Sequence, residues 1–407
     1  MRPDEITKRM PGIDKPDRII MLITAALVGI GILMIYSSTS VVTLAMIKKH
    51  VTTPDFYFKR HLITVVMGLV AAAIFYWIKP EFLGRISPLL LLGSLVMLGL
   101  VFTRLGISAG GARRWIRCWP SQFQPSEAVK LSMVLFLAWF LSKDFFQKES
   151  PWLVVAPVSV MGVFQFVFLK QPDFGGAATL GLITIGLLFI AGARLRYLAM
   201  LGTLALPVVY KLIREPYRWR RITAFLNPWA NAEGSGFQLK QSLIALGRGG
   251  FFGVGLGKGM QKLSFLPEMH TDFIFAIIGE EMGFLIAGAI VIGFCAFFLR
   301  SVYIAEKTGN PFRRLLAYGI AMLVAVPGFI NFCVVTGLAP TKGLPLPFIS
   351  YGGSSLLVNM AAVGVLLRVS RGGVAAVKQD RLMEIERRRA KHVVQLRHQQ
   401  ARGGGLR

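Results

Sequence analysis

Asp272–Leu299 reads DFIFAIIGEEMGFLIAGAIVIGFCAFFL. This apolar run exceeds the roughly 20 residues that a helix needs to cross a hydrocarbon core. It opens with an acid, Asp272, and encloses two more, Glu280 and Glu281. Ionisable groups are costly at such positions, which makes Asp272 a functional-site candidate. On a straight helix Glu280 lies about 12 Å deeper than Asp272, roughly 80° off its face, with Glu281 nearly opposite. A structural polar contact inside the bundle is expected of both glutamates.

Similar runs recur along the 407 residues, 54% of which are hydrophobic. About ten spans are expected, near 19–40, 61–78, 87–103, 127–142, 152–169, 176–192, 196–213, 272–299, 315–337 and 353–369. The reading is an all-α polytopic membrane protein with a large extracytoplasmic loop, 214–271, between its seventh and eighth helices. Residues 1–18 form an N-terminal cytoplasmic segment, 19–369 the membrane domain and 370–407 a basic tail. The first run follows Lys8, Arg9, Lys15 and Arg18 without a small-residue cleavage site, so it is read as a retained helix.

The net charge of +26 follows from 46 Lys and Arg against 20 Asp and Glu. Cytoplasmic ends and short loops of membrane proteins collect such residues, which accounts for the excess without nucleic acid. Both ends are basic, so both termini are expected in the cytoplasm. The three cysteines, Cys118, Cys295 and Cys333, have no metal-ligand spacing,.

Three segments stand out between the spans. In 249–259, six glycines (Gly249, Gly250, Gly253, Gly255, Gly257, Gly259) match neither the Walker A nor the dinucleotide pattern,. They allow tight bends or close approach of a substrate to the backbone. Gly337–Ser355, GLAPTKGLPLPFISYGGSS, combines helix-breaking prolines with apolar Leu344, Leu346, Phe348 and Ile349. Irregular backbone of this kind is tolerated near a membrane when buried in protein or lining a wet cavity. Lys342 and Ser350 are its candidates for a polar ligand, and Ser354 is a candidate cap for the last helix. In the third segment Arg113 and Arg114 are candidates for an anionic ligand. Glu127 and Lys130 beyond them stand one helical turn apart, as an ion pair would.

Asn331 with GLAPTKGLPLPFISYGGSS, FLPEMHTDFIFAIIGEE, FQPSEAVKL and QPDFGG occur in the order found in the SEDS family (FtsW, RodA and SpoVE), which most of the chain resembles. PTKGLPLPFISYGGSS is more similar to the division branch than to the elongation branch. Pro327 departs from the pattern, which has glutamine there, and puts the local geometry of the ninth span in question.

The resemblance implies a peptidoglycan glycosyltransferase that polymerises lipid II and releases undecaprenyl diphosphate, with Asp272 as the essential acid. An acceptor hydroxyl needs a base and a leaving diphosphate needs cations. Arg113, Arg114, Arg221, Lys258, Lys262 and Lys342 are the cation candidates, with Glu268 and His270 close enough in sequence to line the same site. A helix N-terminus favours ionised Asp272 while burial opposes ionisation. No D-x-D sequence occurs, and a divalent cation such as magnesium at the diphosphate remains compatible with the chemistry. The implied partners are the growing glycan strand, a class B penicillin-binding transpeptidase and other division proteins. A lipid II flippase and a non-enzymatic division scaffold acting through the tail are the alternatives.

Overall fold

A computed structural model describes residues 16–47, 56–109, 112–118, 121–143, 151–230, 236–262 and 270–371. Glu268, nearly all of the basic tail and most of the N-terminal segment lie outside the described residues. The helices are α1 (Arg18–Ile47), α2 (Phe56–Trp77), α3 (Pro80–Leu100), α4 (Pro125–Leu141), α5 (Trp152–Lys170), α6 (Phe174–Ile190) and α7 (Leu195–Ile213). After these come α8 (Pro216–Leu226), α9 (Phe237–Gly249), α10 (Ile274–Glu306), α11 (Pro311–Val335) and α12 (Gly353–Arg371). Each of the ten expected spans coincides with a helix. Eight described helices are long and apolar enough to cross a membrane, while α4 and α6 have 17 residues each.

Two features were not expected. A three-stranded antiparallel sheet, β1 (Gly106–Ala109), β2 (Ala112–Cys118) and β3 (Ser121–Phe123), joins α3 to α4. Arg113 and Arg114 therefore sit on β2, where Arg113 is in register with Ser108 and Trp115 with Ile107, and the register shifts between those two pairs. The stretch 214–271 is also no plain loop, since it contains α8 and α9.

Local chemistry explains several boundaries. Proline occupies the first helical turn of α3, α4, α8 and α11, where its missing N–H has no helical partner to lose,. Asp173 caps α6 by accepting from Gly176 N at 3.0 Å, and Asn310 caps α11 through Phe312 N and Arg313 N,. α11 runs unbroken through Pro327, so the departure at that position does not end the helix. The core centres on α4, α11 and α12, whereas α7 has no fully buried residue among the described residues of its span and meets the bundle through Tyr197, Leu198 and Leu201.

The helix that began as a single long run is broken. Gly283 has φ 77° and ψ −177°, which is not helical. Phe275 and Phe294 both pack on Phe332, with ring centroids 4.7 and 5.3 Å apart. Nineteen residues of straight helix would separate the two rings by about 28 Å. Residues 274–282 are thus a short half-helix folded back against the remainder of α10. The break falls beyond Glu280, so Asp272 and Glu280 share one helical segment, and what fails is the expectation of a single straight span over 272–299.

Candidate functional site

Asp272 begins the folded-back half-helix and is half-buried. Its carbonyl accepts from Asn331 Nδ2 at 2.7 Å, and the same amide group donates to Leu344 O at 2.8 Å. Its carboxylate lies against the proline-rich loop, so close that a Cβ built on Gly343 would sit 2.8 Å from Asp272 Oδ2. The preceding residues are tied to the same loop. Ser350 Oγ donates to Thr271 O at 2.6 Å, and Tyr351 N donates to His270 O at 2.8 Å. The loop is packed into the bundle, with Leu344, Leu346, Phe348 and Ile349 all buried. Such packing follows from its composition, because apolar side chains between prolines gain by leaving water while the helix is forbidden.

Cations and a second acid approach this loop from two sides. Lys342 adjoins Gly343 and is half-buried, and burial pushes its ammonium pKa down. Arg221 Nη1 on α8 donates to Thr341 O at 3.1 Å. Gly175, in the first turn of α6, packs against Leu344, and Arg114 binds the turn before that helix through Gln171 O (3.0 Å) and Pro172 O. Asp173 in the same turn also accepts from Gln124 Nε2 at 3.2 Å. Arg218, which was not singled out from the sequence, places its guanidinium 3.7 Å from the Phe174 ring centre. Burial lowers its pKa, which Glu215 partly offsets. Asp272, Arg221 and Lys342 therefore meet at one loop, with Arg114 on the neighbouring 171–173 turn. They bring an acid that can take a proton beside cations that can face an anionic leaving group.

Other expected contacts are internal. Lys262 is 1% exposed and pairs with Glu281 at 2.6 Å, so its charge is matched inside the protein. Arg113 donates to Gly106 O, Phe102 O and Thr103 O, closing the turn that follows α3 rather than meeting an anion. Ser350 is 3% exposed, with its hydroxyl held between Leu346 N and Thr271 O; it fastens the loop. Ser354 serves the β3–α4 corner, accepting from Gln124 N at 2.7 Å and donating to Gln122 O, instead of capping α12. Lys258 is exposed on the glycine segment.

The structural residues are clear. Lys130 and Glu127 form a buried pair at 2.7 Å in α4. Glu280 accepts from Met260 N and Gln261 N, and Glu281 from Gly257 N. The glycine-rich segment thus cradles two protein carboxylates with its backbone N–H groups. An aromatic group, Tyr57, His270 and Tyr351, lies beside Asp272, with centroid separations of 5.5 to 5.8 Å, and His61 is 6.1 Å from Tyr351. No local signal marked Tyr57 or His61, because α2 is remote in sequence from the residues it meets. Among the described residues no group of three or more His, Cys, Asp or Glu side chains is placed to hold a metal ion.

The chain is similar to known proteins over most of its length. It is 43% identical over 367 residues to a probable peptidoglycan glycosyltransferase FtsW of Geobacter sulfurreducens, covering 88% of this chain and 96% of the relative. Against the protein of the same name in Coxiella burnetii, identity is 40% over 366 residues, covering 87% and 96%. A chain from a peptidoglycan synthase complex that coordinates polymerization and crosslinking superposes with TM-score 0.72 at 27% identity, covering 88% and 98%. The Thermus thermophilus rod shape determining protein RodA superposes with TM-score 0.65 at 26% identity, covering 88% and 97%. The FtsW/RodA/SpoVE family model, described as cell cycle protein, matches residues 17–373, and with these relatives it shows that the chain belongs to that family of multi-pass membrane proteins.

Proposed function

We propose that this chain is a peptidoglycan glycosyltransferase of septal wall synthesis that polymerises lipid II into glycan strands. The observation that supports it most is the Asp272 carboxylate held against Gly343, one residue from half-buried Lys342. Asp272 removes the proton from the acceptor sugar hydroxyl as its oxygen attacks the anomeric carbon of the donor. The carbon–oxygen bond to phosphate breaks, and undecaprenyl diphosphate leaves with that electron pair. Lys342, Arg221 and Arg114 stabilise the negative charge on the leaving group. Asn331, Ser350 and the Glu127–Lys130 pair hold the surrounding framework.

The basic ends favour cytoplasmic termini, with 214–271 on the outer face of the bacterial inner membrane. A class B penicillin-binding protein would crosslink the product, in keeping with the synthase complex that the fold resembles.

Purified protein with its cognate transpeptidase partner should convert fluorescent lipid II to polymer on a gel, and Asp272→Asn should not. Equal polymer from both would remove Asp272 as the base. Transbilayer movement of lipid II without polymer would favour a flippase. Neither activity, with function lost on removing 378–407, would favour a scaffold.

A further inference from the structure

The break at Gly283 uncouples the half-helix bearing Asp272 from the long part of α10, so something other than helical continuity must set its pose. The strap 249–262 lies in that break. Val254 N and Gly255 N donate to Glu280 O and Glu281 O, each at 3.0 Å. Phe284 N and Leu285 N donate back to Gly250 O and Phe251 O at 3.0 and 3.2 Å. The strap therefore supplies partners on both sides of the interruption. Its glycines are required there, since a Cβ on Gly249 would lie 1.9 Å from Gly279 O and one on Gly253 would lie 2.3 Å from Glu281 O.

Side chains fasten the strap. Glu280 Oε1 and Oε2 accept from Met260 N at 2.9 Å and Gln261 N at 3.1 Å, and Glu281 Oε2 accepts from Gly257 N at 3.1 Å. Lys262 Nζ closes the end of the strap on Glu281 Oε1 at 2.6 Å. Ser37 of α1 joins both, donating to Glu281 Oε2 at 2.5 Å and lying 3.1 Å from Lys262 Nζ. Glu280, Glu281 and Lys262 are at most 1% exposed. Buried ion pairs add little stability over apolar packing, whereas they do specify one arrangement in some proteins.

We propose that Lys262 is a positioning residue for the glycosyl transfer: by locking the strap onto Glu281 it holds the 274–282 half-helix so that Asp272 meets the acceptor hydroxyl. This rests on Asp272 being the base. The loop fastens the Asp272 end through Asn331, Ser350 and Tyr351, and the strap fastens the other; over the ~16 Å between them a tilt of only ~5° moves the carboxylate by more than 1 Å,. Displacements of about 1 Å can lower a rate about 100-fold.

The test uses full-length protein with its transpeptidase partner. Lys262→Met/Glu281→Gln removes both charges while keeping an acceptor for Gly257 N. Turnover should fall about 10- to 100-fold with the KM for lipid II within about threefold of wild type. Amide hydrogen exchange across 270–282 should quicken in the same variant. Wild-type turnover in the folded double variant overturns the proposal, as does unchanged exchange. The exchange result does not depend on what Asp272 does, so a failure of the base assignment would appear separately in Asp272→Asn. Ser37→Ala keeps both charges and should show the same turnover-specific loss, about three- to tenfold, should the double variant not fold.

Discussion

Asn331 and Asp272 stand 59 residues apart in sequence and are joined by a single 2.7 Å hydrogen bond, amide to main-chain carbonyl. Because Asn331 Nδ2 also reaches Leu344 O, one side chain couples the half-helix to the proline-rich loop. Asn331→Ala should leave two carbonyls without this donor at about 1–3 kcal/mol of stability. Polymerisation should fall roughly 10- to 100-fold as the two elements separate, read from gel assay and detergent melting together.

Gly343→Ala separates activity from stability more sharply. The atom that its Cβ would meet, at 2.8 Å, is the far end of the Asp272 side chain, which can swing away. The melting temperature should change by only a few degrees, on the order of 1 kcal/mol, while polymerisation drops roughly 100-fold. An active Gly343→Ala enzyme would show that the carboxylate does not work from this position.

Lys342 predicts a pH dependence. Burial lowers its pKa, so the ammonium is lost at lower pH than in an ordinary lysine,. Polymerisation that uses this charge should decline on the alkaline side as pH rises through the lowered value. Stability moves the other way: the unfolded chain binds the proton more tightly, so stability rises with pH between the folded and ordinary values. Lys342→Arg, always charged, should lose the alkaline decline. Overlapping rate profiles for the two proteins would remove Lys342 from the diphosphate contact.

Gly283→Ala should damage the fold itself. The residue has φ 77°, and an added Cβ would stand 2.3 Å from Gly253 N, a backbone atom that cannot easily move. Backbone strain and overpacking together make the loss roughly 2–6 kcal/mol, measurable as a lower melting temperature in detergent.

Helix positions and one ion pair were legible in sequence because they depend on near neighbours. A long apolar run declares a span, and Glu127 and Lys130 meet because one helical turn brings them together,. Asp272 was legible as an acid out of place. The roles of the cations were less so: Arg113, Arg114 and Lys262 carry the same charge, yet their partners come from elements whose approach no local pattern encodes.

Residue order and hydropathy were enough to establish a basic-ended, many-helix membrane protein with an acid at the mouth of its eighth predicted span. Chain folding alone made Gly283 a reversal, turned the glycine segment into a strap around Glu280 and Glu281, and set Asp272 against Gly343. The reason is range. Hydropathy is a property of adjacent residues, whereas a left-handed glycine and a buried carboxylate acquire their meaning from backbone atoms brought to them across the bundle,.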